Sequence, residues 1–268
     1  MTCAVSGGAD SLALLVLAVG AGCVVQAVHV DHGLREGSAA EAEVVARAAR
    51  QLGAEFVSLR VEVEAGPNLE ARARAARYAA LPPDALTGHT ADDQAETVLL
   101  NLLRGAALDG LAGYAADRRP IRHLRRHETE RLCTAVGLRP LVDPSNADPS
   151  FRRNRVRHEL LPLLDAIAER DVVPVLARQA DLARADVGLL DELAAAVDPT
   201  DVAALTTAPE ALARRAVRRW LRYGHELHPP DAASVERVLA VARGEAVACQ
   251  VAGGRTVRRS HGRLSLGD

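Results

Sequence analysis

The start of the chain constrains its fold more than any other stretch. A short apolar run, Cys3-Ala4-Val5, is followed by two glycines, an acid and a hydroxyl in the loop Ser6–Ser11, and then by apolar helix formers from Leu12. This order predicts a strand, a tight loop and a helix. Glycines let the backbone approach an anion closely, and a helix N-terminus presents free N–H groups and a positive dipole end. The sequence therefore predicts a phosphate-binding loop, made of Ser6, Gly7, Gly8, Ala9, Asp10 and Ser11.

The kind of phosphate loop is narrowed by what the chain lacks. A Walker loop needs a lysine after its last glycine, and all 33 basic residues of this chain are arginine. The same composition excludes Schiff-base and adenylyl-lysine intermediates on the protein. The Ser6–Ser11 loop resembles instead the pyrophosphate loop (PP-loop) of the N-type ATP pyrophosphatases, which split ATP between its α- and β-phosphates. That resemblance implies ATP as substrate, with Asp10 helping to hold Mg²⁺ against the pyrophosphate.

The pattern along the chain predicts the fold class. Apolar runs near 24–30, 56–63 and 84–87 alternate with helical patterns over 38–52 and 69–80, which predicts a doubly wound parallel α/β sheet. Its ligand side lies at the carboxyl ends of the strands, where we expect His29 and His89 to contact ATP. Further helices are predicted over 151–164, 175–197, 210–223 and 232–242, and an antiparallel hairpin or meander from 247 onward. The predicted organisation is a catalytic domain over 1–170, a long linking helix in 171–197 and a small α+β domain over 198–268.

Three acids crowd the start of one predicted helix. Thr90 can cap this helix and Asp93 can serve as its third-position acid, so a structural role accounts for part of the cluster. Asp92 and Glu96, however, share a face at i,i+4, where like charges repel. Something cationic should compensate them. The sequence suggests Mg²⁺ or a substrate ammonium group.

Composition and charge set broader limits. A hydrophobic content of 49% and a charged content of 25% predict a soluble globular protein, and we expect it in the cytoplasm with no membrane association. The four cysteines show no paired spacing, so neither a metal ribbon nor a disulfide framework is expected. The net charge is −2, yet arginines cluster in four places between Arg118 and Arg259. Such clusters indicate either solvated helix faces or a polyanionic partner, and we favour the partner.

Several longer motifs make the resemblance specific. The first 165 residues, approximately, resemble the tRNA(Ile)-lysidine synthetases, a family within the PP-loop superfamily with an adenine nucleotide α-hydrolase-like fold. The motifs that carry the resemblance are His29–Arg35, Asn68–Glu70 with Ala73-Arg74 and Arg77-Tyr78, Gly88–Gly105, Asp109–Gly113, Asp143–Asn146, Arg153–Arg157 and Glu159–Pro162. The remainder is similar only in outline to the substrate-binding domain of the shorter members. The family usually has longer segments between the positions of Tyr78 and Thr87 and between those of Tyr114 and Arg119, some residues ahead of the first strand, and an aliphatic residue at Arg122.

The resemblance implies a two-step ligase reaction. ATP adenylates the C2 oxygen of the first anticodon cytidine of a CAU isoleucine tRNA, and free lysine then displaces AMP to give lysidine. It also implies roles for individual residues. Asp10 and Asp93 would lie near Mg²⁺, and Asp92 and Glu96 would bind the lysine ammonium. Arg104 would bind a phosphate or the lysine carboxylate, and the residues expected to act in catalysis are Asp10, Asp93, Glu96 and Arg104. The candidates for tRNA binding are Arg74, Arg77, Arg153, Asn154, Arg155, Arg157, Arg218 and Arg219.

Other functions compete with this one at the level of sequence. A second PP-loop enzyme, such as a tRNA thiolase, would carry sulfur on cysteines, commonly paired or beside the active site, and this chain has no such pair. An amide-forming synthetase would have no need of the arginine clusters. A non-catalytic nucleotide- or RNA-binding module would not need the acids from Asp92 to Glu96. The oligomeric state stays open, with a homodimer as one alternative.

Overall fold

The chain forms two compact units, Met1–Ala183 and Arg184–Asp268. The computed structural model describes residues 1–31, 33, 38–61, 69–114, 117–222 and 230–267, and the side chains of residues 38–40, 69–71, 73 and 74 lie outside this description. The predicted domains, 1–170 and 198–268, and the predicted linker between them stay predictions. None of the helices in the described part of the chain combines the length and the apolar character that crossing a bilayer requires.

The first unit is built on a four-stranded parallel sheet, which confirms the predicted fold class. Its strands are β1 (Thr2–Ala4), β2 (Gln26–Asp31), β3 (Glu55–Arg60) and β4 (Leu86–Thr87). They lie in the order β3-β2-β1-β4, and Cys3 pairs with both Ala27 and Leu86. The chain thus runs from β1 outward to β3 and returns to the other side of β1. This reversal opens a crevice between the ends of β1 and β4, where open α/β sheets bind ligands.

The strands are shorter than predicted. The run predicted over 56–63 ends as a strand at Arg60, and residues 62–63 lie outside the described residues. The run at 84–87 contributes only two residues to β4, because Pro82, Pro83 and Asp84 precede it and form a turn in which the Ala85 N–H donates to the Pro82 carbonyl. Proline has no N–H to donate to a strand ladder.

Helices cover the sheet and carry the polar residues of the first unit. They are α1 (Ala9–Gly20), α2 (Ser38–Leu52), α3 (Leu69–Ala80), α4 (Ala91–Leu103), α5 (Leu108–Leu111), α6 (Arg126–Ala135), α7 (Arg152–Arg155), α8 (Leu161–Ala168) and the start of α9 (Val173–Ala195). Leu12, Leu15 and Val45 are fully buried in the core between α1, α2 and α6. In the same core, the Cys133 thiol of α6 donates to the Ala9 carbonyl of α1 at 3.4 Å.

The helix predicted over 151–164 is longer and less regular than expected. It runs from Arg152 to Ala168, and residues Val156–Leu160 form a π-helical segment between α7 and α8. Pro162 lies in the first turn of α8, where it cannot donate an i→i−4 hydrogen bond, and a π-helical turn absorbs such an interruption. Single π turns of this kind occur frequently at functional sites.

The second unit has its own core. It contains the end of α9, then α10 (Val202–Thr207), α11 (Glu210–Arg222), α12 (Ala232–Arg243), β5 (Ala248–Gln250), β6 (Thr256–Ser260) and β7 (Arg263–Gly267). The three strands form an antiparallel sheet in the order β5-β6-β7, which confirms the predicted meander. Its core contains Val217 of α11, Val238 of α12 and Val257 of β6, which are fully buried. Tyr223, the predicted end of α11, lies outside the described residues.

Candidate active site

The phosphate loop connects β1 to α1, as the sequence predicts, and internal hydrogen bonds fix its shape. The Ser11 hydroxyl accepts from the Ser6 N–H at 3.1 Å and donates to the Gly8 carbonyl at 2.9 Å. Gly8 is the N-cap of α1 and provides no side chain to cap it, so the first N–H groups of α1 stay available to an anion. Gly7 has φ of +88°, a conformation that favours glycine. The loop therefore has a fixed shape, with the first N–H groups of α1 left to bind an anion.

A second segment reaches the same loop from the end of β4. A Cβ atom placed on Gly88 would lie 2.6 Å from the carbonyl oxygen of Asp10 and 2.9 Å from the Cα of Ser11. Real Cβ atoms do not approach backbone that closely. Only glycine lets the β4 loop pack against the phosphate loop, so the position of Asp10 depends on residue 88.

We expect Gly88→Ala to lower kcat/KM for ATP use by about 100-fold, because the added methyl must push the Asp10 backbone aside and a displacement near 1 Å costs that much. Initial rates of AMP formation measure the effect. Gly20→Ala is the matched control, since a Cβ at Gly20, the last residue of α1, meets nothing within 4 Å. A Gly88→Ala protein with the control's activity would contradict the proposed packing constraint.

The acids at the start of α4 divide into two sets of contacts. Asp93 forms the predicted capping box: its Oδ2 accepts from the Thr90 N–H at 3.0 Å and from the Thr90 hydroxyl at 3.1 Å. Asp92 accepts from Arg125 through both of its oxygens at 3.1 Å, and from the backbone N–H of Arg126 at 2.8 Å. Burial alone would raise the pKa of Asp92, but these hydrogen bonds outweigh burial and lower it. Asp92 thus holds the start of α6 against α4.

Glu96 is the most enclosed charge of the site. Its side chain is 0% exposed, and it accepts from Arg153 Nε and Arg157 Nε at 2.7 Å each and from Arg126 at 3.3 Å. The cationic compensation that the sequence called for therefore comes from the chain's own arginines. These contacts join α4 to α6, to α7 and to the π-helical segment. A buried carboxylate is stable only when it is paired in this way.

Asp10 and Asp93 both face the guanidinium of Arg126. Asp10 Oδ1 accepts from the Thr129 hydroxyl at 2.5 Å, while its Oδ2 lies 3.7 Å from Arg126 Nε. Asp93 Oδ1 lies 3.4 Å from Arg126 Nη2. Burial raises the pKa of Asp10 to about 6; the Thr129 hydrogen bond opposes the increase and the charge of Asp93 adds to it. Burial would also raise the pKa of Asp93, but the charge of Arg126 and the Thr90 N–H lower it below its usual range.

A cavity of about 890 Å³ opens over these groups within the first unit. This volume suits a nucleotide-sized ligand. The predicted site residues that line it are Ser6, Gly8, Ala9, Asp10, Ser11, Arg77, His89, Asp93, Arg153 and Arg157. Of the residues predicted to bind ATP, metal or lysine or to act in catalysis, those that do not line it are Gly7, His29, Asp92, Glu96 and Arg104. Arg104, at the C-terminal end of α4, is exposed, whereas His29 is buried and its Nδ1 lies 2.9 Å from the Val5 carbonyl. The functions predicted for all of them stay predictions.

Similarity to known proteins agrees with this geometry. A family model of the PP-loop domain matches residues 1–164, and a model of the TilS substrate-binding domain matches residues 201–265. A tRNA(Ile)-lysidine synthase of Nocardia farcinica is 44% identical over 98% of this chain and 90% of its own length. The chain belongs to the tRNA(Ile)-lysidine synthase family. Another relative with that name, from Salinispora tropica, is 42% identical over 99% of this chain and 90% of its own length.

Structural similarity extends beyond the lysidine synthases. The U34-tRNA thiolase NcsA from Methanococcus maripaludis, solved with its 4Fe–4S cluster, superposes with a TM-score of 0.54 over 69% of this chain and 71% of its own. The two sequences are 16% identical, so this similarity shows a shared fold only.

The residues predicted to bind tRNA occupy different environments in this lysidine synthase family member. Arg153 and Arg157 bind Glu96, and Asn154 donates from Nδ2 to the Ser145 and Asp148 carbonyls at 2.7 and 2.8 Å. Arg155 is 61% exposed and pairs with Glu159 at 2.8 Å. Arg77 lines the cavity, Arg218 and Arg219 lie on α11 in the second unit, and the side chain of Arg74 lies outside the described residues.

Sequence reasoning missed four residues of the site. Arg125, Arg126 and Thr129 lie on or beside the first turn of α6 and bind the predicted acids. Tyr114 accepts a hydrogen bond from Arg153 at 3.0 Å, and its ring lies 4.8 Å from that of His89. The repulsion between Asp92 and Glu96 predicted that cations must be near, but Arg125 and Arg126 were noticed only as part of an arginine cluster.

Proposed function

We propose that this protein catalyses the ATP-dependent formation of lysidine on tRNA(Ile), with free lysine as the second substrate. One observation carries the proposal: the PP-loop, the acidic start of α4 and the arginines of α6 and α7 meet in one nucleotide-sized cavity of a chain that belongs to the lysidine synthase family. The proposal fits both steps of the reaction. Adenylation needs a loop that binds the phosphates of ATP, and the attack by lysine needs acidic residues that bind its ammonium group.

In the first step, the C2 oxygen of the cytidine attacks the α-phosphorus of ATP, and pyrophosphate leaves. The N–H groups at the start of α1 and the hydroxyl of Ser6 would bind the leaving phosphates, because a helix N-terminus stabilises negative charge. Arg77, Arg153 and Arg157 line the same cavity and supply positive charge. No protein side chain acts as nucleophile, so positioning and electrostatic stabilisation carry the rate.

Asp10 and Asp93 fit the Mg²⁺ that an ATP pyrophosphatase would use. Each has one carboxylate oxygen taken by a hydroxyl or N–H group, and each keeps the other oxygen directed toward a single cation, Arg126. Two carboxylate oxygens are a suitable ligand set, because Mg²⁺ in proteins usually binds one or two carboxylates and takes its remaining ligands from water and phosphate. When bound, it would neutralise charge that develops on the leaving pyrophosphate.

In the second step, an amino group of lysine attacks C2 of the adenylated cytidine, and AMP leaves with the oxygen. We propose Asp92 and Glu96 for the ammonium of the incoming lysine; Asp92 also holds α6 through its hydrogen bonds with Arg125 and Arg126. Glu96 is already paired with three arginines in this arrangement, so it would act on lysine only if one of them moves.

The test is transfer of radiolabelled lysine. The protein is incubated with ATP, Mg²⁺ and a CAU-anticodon isoleucine tRNA, and separately with the initiator methionine tRNA that carries the same anticodon. Label should enter the first RNA and not the second, because contacts outside the anticodon must distinguish them. No lysine transfer to either RNA would contradict the proposal, and equal transfer to both would contradict the expectation that contacts outside the anticodon select the RNA.

We expect Arg155 to contact a tRNA phosphate, since it and Arg152 are the two exposed arginines of the 152–157 cluster. Arg155→Gln should weaken tRNA binding and reduce the slope of log Kd against log salt by roughly 0.7–0.9. Glu159→Gln should strengthen binding, because it releases Arg155 from its ion pair. Filter binding at several salt concentrations measures both. Unchanged slopes would indicate that this cluster is a solvated helix face that does not contact tRNA.

A further inference from the structure

One arginine occupies the point where three carboxylates converge. Arg126 Nε lies 3.7 Å from Asp10 Oδ2, its Nη2 lies 3.4 Å from Asp93 Oδ1, and its Nη1 and Nη2 both lie 3.3 Å from Glu96 Oε1. The Arg126 side chain is 22% exposed. Glu96 has two further arginines, whereas Asp10 and Asp93 each lie within ion-pair distance of Arg126 and accept a hydrogen bond from a threonine.

The oxygens that face Arg126 are also the ones left for a metal ion. Asp10 Oδ1 is taken by Thr129 and Asp93 Oδ2 by Thr90, which leaves Asp10 Oδ2 and Asp93 Oδ1. A Mg²⁺ ion bound to both would lie about 2.0–2.1 Å from each. Its charge would then repel a guanidinium that contacts the same two oxygens. The metal and this position of Arg126 therefore compete for the same two oxygens.

We propose that Arg126 is an internal counter-ion that keeps the Asp10–Asp93 pair closed to metal ions until nucleotide binds. This rests on the proposed function only in naming these two acids as metal ligands. Arg126 and the phosphate loop line the same cavity, so the phosphates of an incoming nucleotide offer the guanidinium another anionic partner. Nucleotide and metal should therefore bind with positive coupling, and metal alone should bind weakly.

The experiment measures Mn²⁺ binding without nucleotide, tRNA or lysine, by the electron paramagnetic resonance signal of free Mn²⁺. We compare the unaltered protein with Arg126→Met, which keeps the length of the side chain and removes its charge. Arg126→Met should bind Mn²⁺ at least about tenfold more tightly, within the usual range of coupling between sites. Adding Asp93→Asn to that variant should abolish the gain, and Arg126→Lys should behave as the unaltered protein does.

Arg122→Met is the matched control. Arg122 is also a partly buried arginine of the first unit, but it pairs with Asp181 at 2.5 Å and does not touch the acids of the site. A folded Arg126→Met protein, judged by circular dichroism, that binds Mn²⁺ no more tightly than Arg122→Met would overturn the proposal.

A measurement on the unaltered protein decides the question independently of any folding defect. Without nucleotide it should bind Mn²⁺ no more tightly than about 1 mM, the weak end of the range for carboxylate sites. Tighter binding that Asp93→Asn abolishes would also overturn the proposal. Neither measurement involves lysine transfer, so failure of the counter-ion role and failure of the proposed reaction are separate results.

Discussion

Asp10→Asn should lower the rate of ATP turnover by about 10³-fold or more while the fold stays intact. The substitution removes a carboxylate that would face Mg²⁺ and pyrophosphate, and preorganised electrostatic groups at a reacting centre carry effects of this size. The loss should appear in kcat for AMP and pyrophosphate formation, measured with saturating ATP and tRNA.

The stability of the same variant should not fall. An asparagine oxygen can still accept the hydrogen bond from the Thr129 hydroxyl that Asp10 Oδ1 accepts. Because burial raises the pKa of Asp10 from 3.8 to about 6, the folded state binds a proton more tightly than the unfolded state, and stability decreases as pH rises through this range. Above pH 6 the ionised carboxylate therefore costs stability, and the amide removes that cost.

Asp186→Asn is the control for Asp10→Asn. Asp186 is exposed on α9 and does not line the cavity, so its loss should change neither turnover nor the unfolding midpoint. Near-normal pyrophosphate release by Asp10→Asn would contradict the role of Asp10 in ATP turnover.

Glu96→Ala should produce a large loss of stability in the first unit. It leaves Arg126, Arg153 and Arg157 facing one another without their common carboxylate, and breaking a buried ion pair by removing one partner costs about 3–5 kcal/mol. The arginines are 20–32% exposed and regain some hydration, so the lower end of that range is expected. Urea unfolding followed by circular dichroism measures the change.

The control is Glu159→Ala, which removes the acid of an exposed i,i+4 pair and should leave the midpoint unchanged. Glu96→Gln separates charge from shape, because it keeps the side-chain length and one acceptor oxygen but replaces the other oxygen with an NH2 donor; it should fall between the two. An unfolding midpoint for Glu96→Ala equal to that of the unaltered protein would mean that the arginines do not depend on Glu96.

The parts of the fold that sequence predicted are those with local causes. A strand, two glycines and a helix follow directly from residues 3–20, and the alternation of apolar runs with helical patterns predicted the parallel sheet. The capping box of Thr90 and Asp93 is likewise a matter of adjacent residues, and the structure contains it as predicted. The predicted ends of strands and helices were less accurate. The prolines at 82, 83 and 162 remove backbone hydrogen-bond donors, and the spacing of apolar residues carries no information about those donors.

The electrostatics of the site could not be predicted in the same way. Glu96 and Arg157 are separated by 61 positions in sequence, and the partners of Asp92 come from 33 and 34 positions away. Charge repulsion at i,i+4 showed that cations were required, but not which ones. Asn154 illustrates the same difficulty, since its two contacts are backbone carbonyls that only the folded loop brings near.

The thiol of Cys133 contacts the start of α1, directly after the phosphate loop, so its reactivity can report on that contact. Burial raises its pKa to about 11, so it is almost entirely uncharged at neutral pH and inert to alkylation in the closed core. Cys23 and Cys249 are only partly buried. The rate at which a small alkylating reagent captures Cys133 should thus measure how often α6 separates from the start of α1, and a nucleotide seated on that helix end should slow the capture.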